Sequence, residues 1–241
     1  MAKPTQPSPS RAKTHVIIPA LNEQDSIASV VEQALAAGVD SVTVVDNGST
    51  DQTATRAHQA GARVVCEIIR GYGAACQRGI DSLSKEPSDS IILFLDGDGA
   101  DDPGDIRALI EPLHRGDADL VIGSRTLGHT EPGALSPPQR IGNWLATRLL
   151  ALCYNVQTTD LGPMRALSIA TFRQLDMRDR GFGWTMEMQV RAAVHSLRMI
   201  EIPVGYRKRR HGRSKISGSM VGSVRAGLTI LWTLASAGRR R

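Results

Sequence analysis

Cysteine, aromatic side chains and long apolar runs are all scarce in this chain, and each scarcity closes off a class of protein. Only 3 cysteines occur in 241 residues. Cys66, Cys76 and Cys153 are too few and too scattered for a disulfide framework or a cysteine-ligated metal site. Cys66 and Cys153 sit in apolar runs, so reduced thiols in the core, in a cytosolic setting, are expected. No run of 18 or more apolar residues occurs, so no membrane-spanning helix is expected. The opening MAKPTQPSPSRAKT lacks the apolar centre of a secretory signal and reads as a disordered Pro/Ser-rich tail over residues 1–14. With 4% aromatic and 41% hydrophobic residues the rest has the composition of an ordinary α/β domain. The formal charge of +5 favours anionic partners.

What is present is a near-regular alternation of strand and helix. Residues 15–19, 41–46, 62–68, 90–95 and 119–124 read as short apolar strands bounded by turn residues. Helical stretches follow them: from Asn22 or Asp25 to about Ala37, from Ser49–Asp51 to about Ala60, Tyr72–Ser84, and Pro103 to about Arg115. This pattern predicts an α/β fold with a mostly parallel central sheet and helices on both faces. The second half is less regular, with helices expected at Gln139–Tyr154 and within Phe182–Leu197, a strand within 197–207, and a last helix at Val221–Ala237. A main domain over 15–218 and an apolar helix with an arginine-rich end over 219–241 describe the organisation.

Each strand end carries polar residues suited to a ligand. SIILFLDGDGADDP, residues 90–103, runs from a buried strand into Asp96-Gly97-Asp98. In open α/β sheets ligands bind outside the carboxyl ends of strands. Two carboxylates one residue apart on such a turn can converge on a hard divalent cation whose other positions go to substrate phosphates; a solvated turn capping the next helix is the plainer alternative. Asp46 ends the second strand, where it can accept from a nucleobase or a ribose hydroxyl, with Gly48 and Ser49 shaping the turn. After the third strand, Arg70 and Gly73 bring a cation and a small residue to a helix start. Phosphate approach and tight strand–helix packing both explain them.

PALNE at 19–23, the D-x-G-S-x-D string at 46–51, the D-x-D at 96–98 and GSR at 123–125 occur in order at these strand ends. Together they resemble family 2 glycosyltransferases of the GT-A (nucleotide-diphospho-sugar transferase) fold, particularly the dolichyl- or polyprenyl-phosphate sugar synthase branch. The resemblance implies that Pro19, Ala20, Leu21, Glu23 and Asp46 line a base and ribose pocket. Gly48, Ser49, Arg70, Gly73, Asp96 and Gly97 join them in binding the nucleotide. It implies that Asp96 and Asp98 bind Mg²⁺ or Mn²⁺. Residues 159–165, containing Asp160 and Arg165, are similar to the family's segment beside the acceptor and donor sugar, although Pro163-Met164 departs from its usual pattern. Ala100 stands where this branch often has a further polar metal contact, so a third ligand would come from Asp101, Asp102 or water.

Residues 206–215 carry six Lys/Arg in ten and resemble the family's R-x-x-G-x-S-K element, with Arg210, Ser214 and Lys215 at the matching positions. With Arg125 and Arg165 they are expected on the donor diphosphate, where Arg210 and Lys215 would assist departure of the nucleoside diphosphate. A nucleic-acid patch would interleave aromatics, and only Tyr206 is near, so no nucleic-acid partner is expected. The implied reaction is inverting transfer from a nucleotide sugar, UDP-linked by preference. Its leading acceptor is a polyprenyl phosphate, with a soluble hydroxyl or phosphorylated small molecule as the alternative. A hydroxyl acceptor needs a base, for which Asp160 and Glu187 are the candidates; a phosphate does not. The apolar Leu228–Ala237 with its terminal arginines suits peripheral contact with the inner face of a membrane, core packing or a homodimer contact. Trp144, Leu149, Leu150 and Leu152 are equally open between core and lipid. Two other classes remain: a noncatalytic nucleotide-sugar binder, for which the D-x-D would be superfluous, and a dinucleotide oxidoreductase, whose fingerprint would need a small residue where Cys76 stands.

Overall fold

A computed structural model describes residues 11–209 of the chain. The elements follow in the order Thr14–Ala20 (β1), Ile27–Ala36 (α1), Ser41–Asp46 (β2), Thr53–Gln59 (α2), Arg63–Cys66 (β3), Tyr72–Asp81 (α3), Ile91–Phe94 (β4), Ile106–His114 (α4), Leu120–Ser124 (β5), Pro137–Tyr154 (α5), Arg165–Ser168 (β6), Ile169–Leu175 (α6), Trp184–Val194 (α7) and Met199–Pro203 (β7). They form one seven-stranded sheet in the order β3-β2-β1-β4-β6-β5-β7. All its pairings are parallel except those of β6, which runs against both β4 and β5. The architecture is that of the expected α/β fold.

Side chains of successive strand residues point to opposite faces, and the two faces bury separate clusters. Val16, Ile18, Val44 and Leu93 pack under Ile27, Val31 and Leu109 of α1 and α4. On the other face Ile17, Val45, Ile92 and Phe94 pack under residues of α3, α6 and α7. Trp184 anchors that second layer, its ring 6.0 Å from Phe94 edge-on and 5.6 Å from Phe172, the arrangement aromatic quadrupoles favour.

Four sequence expectations change. The strand β6 and the helix α6 were not foreseen: four residues starting with an arginine carry no apolar run, and only pairing between β4 and β5 makes them a strand. The first helix starts at Ile27 with Ser26 as its N-cap residue, because Asn22 (φ 51°) and the residues after it form the preceding loop. The first strand takes in Thr14, one residue of the expected tail. Finally, Cys66 and Cys153 are exposed and only Cys76 is buried; Cys66 ends the edge strand β3, and Cys153 lies on the outer side of α5. Among the described residues no helix is long and apolar enough to cross a membrane. The expected C-terminal helix lies outside the described residues.

Candidate active site

Six strands end on one rim of the sheet, and the loops beyond their carboxyl ends are tied to one another by side chains. The loop after β1 is laced to the loop after β2. Asn22 N–H donates to Ser49 Oγ (2.9 Å), Thr50 N–H to Asn22 Oδ1 (2.8 Å), and Glu23 N–H to Thr53 Oγ1 (2.8 Å). Asp46, level with Ala20 in the β1–β2 register, accepts from Ser49 N–H at 2.9 Å. Gly48 has φ +83°, and a Cβ there would stand 3.2 Å from the Arg70 guanidinium carbon, so Arg70 lies over this turn. Pro19, Ala20, Leu21, Glu23, Asp46, Gly48, Ser49 and Arg70 are thus brought to one rim. Asn47, which sequence reasoning passed over, holds the third loop. Its amide donates to Glu67 O and Ile69 O and accepts from Gly71 N–H.

The acid turn follows β4. Asp98 is buried, its Oδ1 accepting from Ala100 N–H at 2.8 Å. Asp101, also buried, accepts from Asp96 N–H at 3.2 Å. One oxygen of each of Asp96 and Asp101, Oδ1 in both, is buried with no hydrogen-bond partner among the described residues. Burial, followed by the charge of Asp98, raises the Asp96 pKa to about 7. Burial and the neighbouring Asp96 and Asp98 push Asp101 well above the usual carboxylate range. Two orphaned carboxylate oxygens beside a third carboxylate make a site with surplus negative charge, which a cation would relieve. Asp102 is already engaged, its Oδ1 by Gly104 N–H and its Oδ2 by Arg207.

A cation of the chain itself reaches this turn. Arg209 Nη2 lies 2.7 Å from Asp98 Oδ2, and its Nη1 3.8 Å from Glu23 Oε1. The segment leading to it is pinned by Tyr206, whose N–H donates to His129 O and whose O accepts from Glu131 N–H, and by Arg207 N–H on Ala100 O. The basic run therefore passes over the acid turn, with Arg209 in contact. Arg210, Ser214 and Lys215, the residues the resemblance picks out, lie outside the described residues. Arg209 stands in the same charge run, next to Arg210.

Several expected contacts are placed elsewhere. The first-turn N–H groups of α3 are not open to a phosphate: Gly73 N–H donates to Gly181 O and Ala74 N–H to Arg180 O. A Cβ on Gly73 would stand 2.2 Å from Asp179 O, so this glycine serves close backbone approach and not a nucleotide. Gly97 is buried against Ile18 and Ile27, and its carbonyl accepts from Ser26 Oγ. Arg165 is fully buried in β6 and donates to Thr185 O and Gly162 O. It lies inside the fold, beneath the rim, where a donor diphosphate cannot contact it. Burial lowers its pKa to about 10.

The two candidate bases are both occupied. Asp160 is 1% exposed and receives three hydrogen bonds from Arg125, from N–H and Nε at 2.8 Å and from Nη2 at 2.7 Å. Arg125 itself stacks over Tyr206 at 5.0 Å, and although burial opposes its charge, Asp160 raises its pKa. Glu187 is buried, accepting from Arg178 N–H, Asp179 N–H and Arg191 Nε. It closes the loop ahead of α7. A separate cavity of about 1010 Å³, lined by Arg107, His114 and Arg198 among others, opens at the other end of the sheet. Its cations are engaged there, Arg198 by Asp119 and Arg107 by Ala37 O.

Residues 15–175 match the Glycosyl transferase family 2 profile. A Mycobacterium tuberculosis protein described as an uncharacterized glycosyltransferase is 37% identical over 211 residues, covering 87% of this chain and 92% of its own length. The undecaprenyl-phosphate mannosyltransferase of Micrococcus luteus is 28% identical over 239 residues, covering 91% of this chain and 93% of its own. Among solved structures, glucosyl-3-phosphoglycerate synthase from Mycobacterium tuberculosis, crystallised with Mn²⁺, uridine diphosphate and glucosyl-3-phosphoglycerate, superposes with a TM-score of 0.72. That match has 24% identity and covers 93% of this chain and 80% of that one.

Proposed function

The chain belongs to glycosyl transferase family 2 and is a nucleotide-sugar glycosyltransferase, and from that premise we propose that it transfers a sugar, UDP-linked by preference, to a lipid phosphate of the polyprenyl type with inversion. The observation that carries the choice of acceptor is the state of Asp160 and Glu187. Both are buried, hydrogen-bonded on both oxygens and paired with an arginine, so neither stands open to a substrate hydroxyl. A phosphate acceptor is already an anion and asks for none. The similarity to an undecaprenyl-phosphate mannosyltransferase, which runs along nearly the whole length of both chains, points the same way.

In this reading the loops after β1 and β2 hold the nucleoside, with Asp46 and the Pro19–Glu23 segment as walls and Arg70 over the turn. The orphaned oxygen of Asp96 and the buried Asp98 fit a divalent cation, Mg²⁺ or Mn²⁺. Among the described residues no set of three or more His, Cys, Asp or Glu converges for a metal, so these two carboxylates would share it with donor phosphate and water. Bound there, such a cation stabilises the charge that develops on the leaving diphosphate. Arg209, now on Asp98, would turn to the diphosphate once Asp98 has another cation partner, and Arg210, Ser214 and Lys215 would extend that cationic contact. The bond from the anomeric carbon to the diphosphate oxygen breaks as an acceptor phosphate oxygen bonds that carbon from the opposite side. The nucleoside diphosphate leaves with the electron pair.

The test is release of nucleoside diphosphate from a panel of nucleotide sugars, with and without a short-chain prenyl phosphate. Release should need both the prenyl phosphate and a divalent cation, and Asp98→Ala should lower it by roughly a thousandfold, the several kcal/mol of a lost metal contact, with little change in melting temperature. Release that ignores the prenyl phosphate but responds to a hydroxyl acceptor would overturn the acceptor assignment. Full turnover by Asp98→Ala would overturn the metal assignment.

A further inference from the structure

The helix α5 shows the solvent far more apolar surface than its neighbours do. Its start is well defined, Ser136 and Gln139 forming a capping box. Only Ala146, Thr147 and Leu150 of its 18 residues are buried. Ile141 is 65% exposed, Trp144 59%, Leu145 51% and Leu152 83%. At about 100° per residue these four fall on one arc of roughly 100°, opposite the buried three. An arc so apolar is unusual on a lone soluble domain and marks a binding surface.

The charges on this helix say what the surface meets. Its charged residues are Arg140 and Arg148, both exposed, and it has no Asp or Glu. Arg148 falls within the same arc, and its guanidinium carbon lies over the Trp144 ring at 6.0 Å, so this cation sits among the apolar side chains, as an interfacial arginine does. A second copy packed through the same face by a two-fold axis would bring four arginines together with no carboxylate from either helix. Apolar residues with a tryptophan and arginines suit the boundary between lipid headgroups and acyl chains.

The inner side of the same helix is joined to the candidate active site. Asn143 Nδ2 donates to Thr159 O at 2.9 Å, and Leu161 N–H donates to Asn143 Oδ1 at 2.8 Å. Asn143 thereby holds the segment containing Asp160, the partner of Arg125. We propose that the Ile141–Trp144–Leu145–Leu152 face of α5 seats the enzyme on an anionic bilayer surface, beside the site where its acceptor is used. The inference rests on the lipid-phosphate reading for its purpose but not for its test.

That test is flotation of the full chain with phosphatidylcholine vesicles containing phosphatidylglycerol and no prenyl lipid. The wild type should float, and Ile141→Ser with Trp144→Ser should weaken binding by roughly tenfold or more. Arg140→Gln with Arg148→Gln should weaken it chiefly at low salt. Because these side chains are exposed, melting temperatures should stay close to wild type, and transfer to a short-chain prenyl phosphate in solution should be unchanged. Failure of the wild type to float, or equal flotation of the Ile141/Trp144 variant, would overturn the proposal. So would conversion of a dimer to a monomer by those substitutions in sedimentation, which would assign the face to a second copy. Activity on soluble prenyl phosphate without flotation would leave the acceptor reading standing and this one refuted; flotation without such activity would do the reverse.

Discussion

Replacing Asp160 by alanine separates a structural from a catalytic carboxylate. The side chains of Asp160 and Arg125 are 1% and 13% exposed, so the pair sits in a poorly screened environment. Arg125 spends its N–H, Nε and Nη2 donors on that one carboxylate. Removing the acid leaves a buried guanidinium uncompensated, and breaking such a pair from one side costs about 3–5 kcal/mol. For a chain of this size each kcal/mol moves the melting temperature by about 2–4 °C, so Asp160→Ala should melt roughly 6–20 °C below wild type. Arg125→Met combined with Asp160→Leu should recover much of that loss, because removing both charges is far cheaper than stranding one. Calorimetry gives the melting temperatures, and nucleoside diphosphate release, assayed well below the variant's transition, gives activity. A melting temperature within a degree of wild type together with lost transfer would refute the reasoning and make Asp160 the base.

Three further outcomes follow from single features. The Asp96 pKa of about 7 against 3.8 for the unfolded carboxyl means the folded state keeps a proton the unfolded state has lost between about pH 4 and 7. Stability should therefore fall as pH rises through that window in EDTA, and Asp96→Asn should flatten the melting-temperature profile. By the same linkage Mn²⁺ binding, followed by calorimetry, should weaken about tenfold per pH unit below 7. Gly73→Ala would gain helix propensity, but its Cβ would meet Asp179 O at 2.2 Å; a net loss of about 1–3 kcal/mol is expected in denaturant unfolding, and a gain would show that the 179–181 loop does not approach α3. Of the three thiols, Cys66 and Cys153 should react with a thiol reagent in the native protein and Cys76 only after unfolding.

Much of the frame was legible because it depends on local pattern. Short apolar strands alternating with helices announce a parallel sheet wherever they occur, since such strands are buried on both faces and their periodicity needs no partner to be seen. The polar residues after β1, β2 and β4 were legible for the same reason: they stand at the ends of those runs, and Asp46, Asp96 and Asp98 indeed lie on one rim. What sequence alone did not decide was which of these groups face outward. Arg165 reads as a cation for a diphosphate, yet β6 forms only by pairing between two distant strands, and that pairing takes the guanidinium inside. Gly73 reads as a phosphate-binding glycine, but residues 179–181, a hundred positions on, fill the helix start. Asp160 and Glu187 read as free bases until Arg125, Arg191 and the 178–179 backbone are brought to them. The apolar residues of α5 carry no label for core or surface; only the packing of Ala146, Thr147 and Leu150 orients the helix and leaves Trp144 and Leu152 outside. Periodicity and turn chemistry are properties of neighbouring residues and so are written in the chain. Burial, pairing and accessibility are properties of contacts between remote residues, and only the folded arrangement supplies them.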